Sequence, residues 1–235
     1  MADPRITMRT VDRAVSLDEG LRAYMVRVFA LMAAGVGVTG AVSFAVASSP
    51  TLLNAIFGSG LVWLVIFAPL ALVMVLSFGI NRMSVGAAQA TFFGYAALMG
   101  LSLASIFILY TQASIARVFF ISAGTFLGMA LYGYTTKRDL TGIGSFLIMG
   151  VWGLMLAMLV NIFWNPQGMQ FALSIIAVLL FTGLTAFDAQ RIKSLYLEAD
   201  TPETAGKKAI LGALQLYLDF INIFINLLRI MGNRR

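Results

Sequence analysis

The chain has 235 residues, 60% of them hydrophobic and 11% charged, with a net charge of +6 and a mean hydropathy of +0.91. A soluble domain of this length is far more polar, so the composition is that of a membrane protein. The absence of cysteine and histidine removes disulfides, thiol nucleophiles, Ser–His and Cys–His dyads, and metal sites built on imidazole, and leaves any pH response near neutrality to carboxylates.

The first 20 residues hold Arg5, Arg9, Arg13 and four acidic side chains and lack the apolar core of a signal peptide, so they read as a cytoplasmic tail. Ser16-Leu17-Asp18-Glu19 fits a capping box that would start a helix near Leu17 and bring it into the membrane around Tyr24. Apolar runs lie at about 24–47, 61–80, 86–109, 115–135, 143–164, 169–188 and 209–231, divided by turn-like pieces such as "SSPTLLN", "KRDLTG" and "NPQG". Each is close to the roughly 20 residues that a helix needs to cross about 30 Å of hydrocarbon, and none shows the in/out alternation of a barrel strand. The expected fold is an all-α membrane protein with seven transmembrane helices in a single domain, residues 1–22 being its tail.

Cytoplasmic loops hold the excess of lysine and arginine. With the N-terminus inside, the inner set collects Arg5, Arg9, Arg13, Arg22, Arg27, Arg82, Lys137, Arg138, Arg191, Lys193, Lys207 and Lys208, while the first three outer connections collect none apart from Arg117 inside the fourth run. A seventh crossing would put Arg229, Arg234 and Arg235 outside, against the bias. A run of about 23 residues nevertheless favours a crossing over a re-entrant path.

Three motifs bear on function. Gly35 to Gly40, "GVGVTG", matches a dinucleotide fingerprint, but that chemistry needs a strand-to-helix loop in a soluble sheet. These glycines lie mid-helix, and close helix packing is the expected role, as for Gly124 and Gly128. Trp63, Trp152 and Trp164 are interface or packing residues rather than a ligand box, with Trp164 at a helix end. The last run carries Gln215, Asp219, Asn222, Asn226 and Arg229 at spacings of four, three, four and three, all on one helical face. One aspartate at the bilayer centre costs about 2.5–3.5 kcal/mol, so this stripe has to face the protein interior or water. Interhelical hydrogen bonds, worth about 0.6 kcal/mol each, would account for the amides but not for the carboxylate. A second carboxylate, Asp188, closes the sixth run beside Arg191 and Lys193, and Arg82 lies between the second and third runs on the same side.

The segments "FTGLTAFDAQRIK" and "LGALQLYLDFINIFINLLRIMG" resemble the paired C-terminal signatures of the transmembrane Bax inhibitor motif family, and "RMSVGAAQATFFGYAALMGLSLASIF" resembles its third helix with the preceding arginine. The resemblance implies six helices around a central seventh, and bacterial members are described as pH-sensitive calcium leak proteins. By motif position it makes Asp188 and Asp219 the sensor aspartates and transient calcium ligands, and Arg82 the arginine that pairs with them when the path is shut. Ala71 stands where some members carry an acidic residue in the second helix.

Two carboxylates about 4 Å apart repel by about 4 kcal/mol at an effective dielectric near 20, so such a pair favours holding one proton. Protonated, it can close two helices together; deprotonated, it offers hard oxygen ligands that Asn222, Asn226 and water could complete for calcium, with Gln215 also lining the path. The two depths have to agree, because Asp219 lies 11 residues beyond Lys208, about 16 Å along a straight helix.

The expected function is a calcium leak channel of a bacterial inner membrane, without cofactor or nucleic-acid partner. A second reading is a regulator that binds and inhibits a membrane-bound protease through the segment Met1 to Arg22, and a third is a calcium/proton exchanger. An enzyme is not expected, since an aspartyl protease dyad is the only familiar chemistry left and the flanking residues do not resemble such proteases.

Overall fold

The computed structural model describes residues 4–164 and 168–235, with the backbone path alone for residues 4–17 and 162. The helices are α1 (Pro4–Ala47), α2 (Pro50–Phe57), α3 (Leu61–Gly79), α4 (Val85–Leu109), α5 (Gln112–Thr135), α6 (Thr141–Trp164), α7 (Met169–Ser194) and α8 (Pro202–Met231), with a single 3-10 turn at Ile80–Arg82. Among the described residues seven of these are long and apolar enough to span a membrane. The protein is an all-α integral membrane protein.

Local sequence explains the elements that the apolar runs do not define. Helix α2 falls where a turn was expected, because Ser49 accepts a hydrogen bond from the Leu52 amide and Pro50 occupies the first helical position. Helix α1 is already helical at Pro4, 13 residues before the start expected at Leu17. No glycine or proline interrupts residues 5–19, so the Ser16–Glu19 pattern lies inside a continuous helix rather than at its start. In α3, Pro69 removes an amide and frees the Val65 carbonyl, which accepts a hydrogen bond from the Ser102 hydroxyl of α4 at 2.7 Å. The expected "NPQG" turn falls mostly on residues outside the described set.

Helix α8 is the centre. The share of its apolar window that is buried is 67%, against 39% at most for any other span. Helices α1, α4, α5 and α7 pack directly on it, while α3 backs α4 and α6 backs α7. Glycines set the closest approaches: Gly133 lies against the Ala186 backbone between α5 and α7, Gly144 against Phe187 between α6 and α7, and Gly100 against the Thr39 carbonyl of α1. Gly35 packs on Phe92 and Tyr217 as expected of a helix contact, but a Cβ at Gly37, Gly40, Gly124 or Gly128 would meet nothing within 4 Å. These four therefore do not form the close contacts that their spacing suggested. Trp63, Trp152 and Trp164 are exposed on the outer surface.

The C-terminal residues fix the path of α8. The Thr111 amide donates to Asn233 O at 3.1 Å, the Arg235 amide to Leu109 O at 3.0 Å, and the Asn233 amide to Ser114 Oγ at 2.9 Å. The chain end is thereby tied to the α4–α5 connection, at the end of the bundle opposite the Ile80–Arg82 turn. Helix α8 crosses the bundle, and Arg229, Arg234 and Arg235 lie at its far end despite the charge bias.

Candidate functional site

The polar stripe of α8 is buried where α8 meets α7. Asp219 is 4% exposed and Asn226 3%, Gln215 and Asn222 are half-buried, and Arg229 is exposed at the far end. Asp188 of α7 is also 4% exposed. The carboxyls of Asp188 and Asp219 are neighbours across the α7–α8 interface, close enough for the charge of one to act on the other. Two carboxyls this close favour holding one proton between them, because ionised carboxylates only accept hydrogen bonds and repel each other.

The depths agree because α7 does not end near Asp188. It continues to Ser194, six residues further or about 9 Å, so Asp188 lies inside the bundle rather than at its rim. Lys208, whose ammonium donates to Leu195 O at 3.0 Å and to Asp200 at 2.6 Å, ties the first turns of α8 to the end of α7.

The surroundings of the pair are asymmetric. Gln215 lies one turn before Asp219 on α8, and Arg191 lies nearly one turn beyond Asp188 on α7. Arg82 is exposed in its 3-10 turn and, among the described residues, forms no ion pair with either carboxyl. Of the three residues grouped as a sensor, the structure brings the two aspartates together and leaves the arginine apart.

Beyond the pair the amides present oxygen. Asn222 Nδ2 donates to Leu218 O at 2.8 Å and Asn226 Nδ2 to Asn222 O at 2.9 Å, so both amide nitrogens are spent on their own helix. Asp219 Oδ2 and Asn226 Oδ1 are buried with no hydrogen-bond partner. Two unpaired oxygens on one buried face are costly unless water or a cation meets them. On α7, the buried hydroxyls of Thr185 and Ser174 donate to carbonyls of their own helix, which likewise leaves lone pairs available. No cluster of three or more acidic side chains that could hold a resident metal occurs among the described residues.

A second polar contact was not read from the sequence. Thr39 of α1 bonds the Ala96 carbonyl of α4 at 2.8 Å and the Tyr217 hydroxyl of α8 at 2.6 Å, and Tyr95 packs edge-on against Tyr217. It fixes three helices two residues from Asp219. The signal was available: a threonine within "GVGVTG" and a tyrosine within "LYLDF", both in hydrocarbon, each need a partner.

Comparison with known proteins places this geometry in context. A family model described as inhibitor of apoptosis-promoting Bax1 matches residues 21–235. The chain is 43% identical to uncharacterized protein RP147 of Rickettsia prowazekii over 235 residues, the full length of both. It is 46% identical to inner membrane protein YbhL of Escherichia coli over 228 residues, 95% of this chain and 97% of that one. An uncharacterized protein of Borreliella burgdorferi is 44% identical over 215 residues, 90% of this chain and 92% of its own.

Proposed function

The chain belongs to the Bax inhibitor family, and on that premise we propose that it is a pH-sensitive calcium leak channel of a bacterial inner membrane, with the Asp188–Asp219 pair as its gate. The observation that carries this reading is the burial of two neighbouring carboxyls at the α7–α8 interface, continued along α8 by the unpaired oxygens of Asp219 and Asn226. With one proton, the pair holds α7 against α8. Without it, two negative charges about 4 Å apart repel by about 4 kcal/mol at an effective dielectric near 20, enough to shift a two-state packing by close to three orders of magnitude. The same deprotonation exposes hard oxygen ligands. Two carboxylates with the Asn222 and Asn226 carbonyls and water supply the kind of donors that calcium takes at six to eight positions, as passing cargo rather than a bound cofactor.

The N-terminal end of the bundle, which gathers 12 of the 16 lysines and arginines, faces the cytoplasm in this reading. The relative YbhL, an inner membrane protein, supports the membrane assignment. The test is calcium flux against pH in liposomes containing only this protein; folded protein with no flux at any pH would overturn the proposal. Flux that requires an opposing proton gradient would make the same pair the core of an exchanger.

One observation favours a regulatory role beside this one. Helix α1 extends from Pro4, 14 residues ahead of the Asp18–Ala47 span, and in this reading that stretch is part of the docking element for a membrane-bound protease. Deleting residues 1–17 should then abolish regulation of the protease and spare ion flux.

A further inference from the structure

At the N-terminal end of the bundle, the connection between α5 and α6 folds against the last turns of α7 and borders an open pocket of about 440 Å³. Lys137, Arg138 and Arg191 supply three cations to its wall, Asp139 one anion, and Phe187 an apolar side. The wall is built rather than incidental. Gln190 of α7 donates to Arg138 O at 2.8 Å and accepts from the Leu140 amide at 2.9 Å, which fixes the connection against α7. The Asp139 carboxylate accepts from the Thr141 amide at 2.9 Å, and the Thr141 hydroxyl and amide together hold it below the usual carboxylate range. It stays ionised, and three cations against one anion leave the pocket a net excess of two positive charges. Among the described residues none of the three cations has an ion-pair partner within 4.0 Å.

We propose that this pocket, walled by Lys137, Arg138 and Arg191, binds a phosphate group, carried by an anionic lipid of the adjoining leaflet or free in solution. A concave basic pocket between helix ends at the membrane boundary suits a phosphate headgroup. Ile143, Phe146 and Met149 leave α6 exposed and apolar next to the pocket, a surface along which acyl chains can lie. A bound phosphate would also compete for Arg191, which lies nearly one turn beyond Asp188 on α7. This second consequence rests on the gate proposed above, whereas binding itself does not.

The experiment is a native mass-spectrometry titration of the whole detergent-solubilised protein with phosphatidylglycerol and with phosphatidylcholine, joined to thermal melting in inorganic phosphate against chloride. Phosphatidylglycerol should bind more tightly than phosphatidylcholine. Lys137→Gln with Arg138→Gln should weaken phosphatidylglycerol binding about tenfold or more, while Arg22→Gln with Arg27→Gln, equal in charge at the same end, should leave it within about twofold. Stabilisation by inorganic phosphate that the first pair abolishes, without lipid preference, would assign the pocket to free phosphate. Equal weakening by both pairs, or by neither together with no phosphate effect, overturns the proposal. Calcium flux in the same lipids reads the coupling through Arg191 separately, so failure of the gate leaves the binding result standing.

Discussion

Asp188 and Asp219 are buried neighbours across the α7–α8 interface, each 4% exposed. One acid and one carboxylate in contact form a stable buried arrangement; two carboxylates do not. The pair therefore binds α7 to the central helix in one protonation state and opposes that contact in the other. Its neighbours decide where the change occurs.

Arg191 lies nearly one turn from Asp188 on α7, whereas Arg82 is exposed in the 3-10 turn. If flux follows the pair, Arg191→Gln should move the pH midpoint of calcium flux, because removing a nearby charge changes the balance between the two protonation states. Arg82→Gln should leave that midpoint in place. Flux profiles of the two variants in parallel check this, and a midpoint that moves only with Arg82 would return the counter-charge role to that residue.

The Thr39–Tyr217 contact at 2.6 Å joins α1 to α8 two residues from the pair. Tyr217→Phe should destabilise the bundle by about 1 kcal/mol. In a double-mutant cycle with Thr39→Val the coupling should be about 0.6 kcal/mol or more, measured by reversible unfolding in mixed micelles. Additive effects would mean that the two hydroxyls act independently.

Ser102 supplies the hydrogen bond that Pro69 denies to Val65 O. Ser102→Ala should cost about 1–3 kcal/mol, since it leaves a buried carbonyl unpaired. In a Pro69→Ala background the restored amide should serve that carbonyl, and the same substitution should cost less than half as much. Equal costs in both backgrounds would refute the substitution of one donor for the other.

Close packing resides at Gly133 and not at Gly128. Gly133→Ala should force α5 from the Ala186 backbone and destabilise by about 1–3 kcal/mol, whereas Gly128→Ala should fall within about 0.5 kcal/mol of wild type. Thermal melting of the two variants separates them directly.

The seven spans and the polar face of α8 were legible in the sequence because both follow from one-dimensional quantities: length of apolar run and a period near 3.6. Asp188 and Asp219 could be paired from resemblance, but their depths could not be reconciled until α7 was seen to continue to Ser194. The start of α1 was misread because a capping pattern inside an unbroken run is locally the same as one at a helix start. Glycine spacing at Gly124 and Gly128 resembled a packing motif, yet which glycine packs depends on the neighbouring helix, here Ala186 beside Gly133. The same holds for arginine: Arg82 and Arg191 both lie at the N-terminal end, and only side-chain geometry distinguishes them.

The most direct measurement is calcium flux against pH for wild-type protein and Asp219→Asn, reconstituted side by side in liposomes. A carboxamide cannot titrate, so the expected result is a pH-dependent flux in the wild type and a flat profile in the variant. A variant whose profile superimposes on that of the wild type would contradict the role of the pair as the gate.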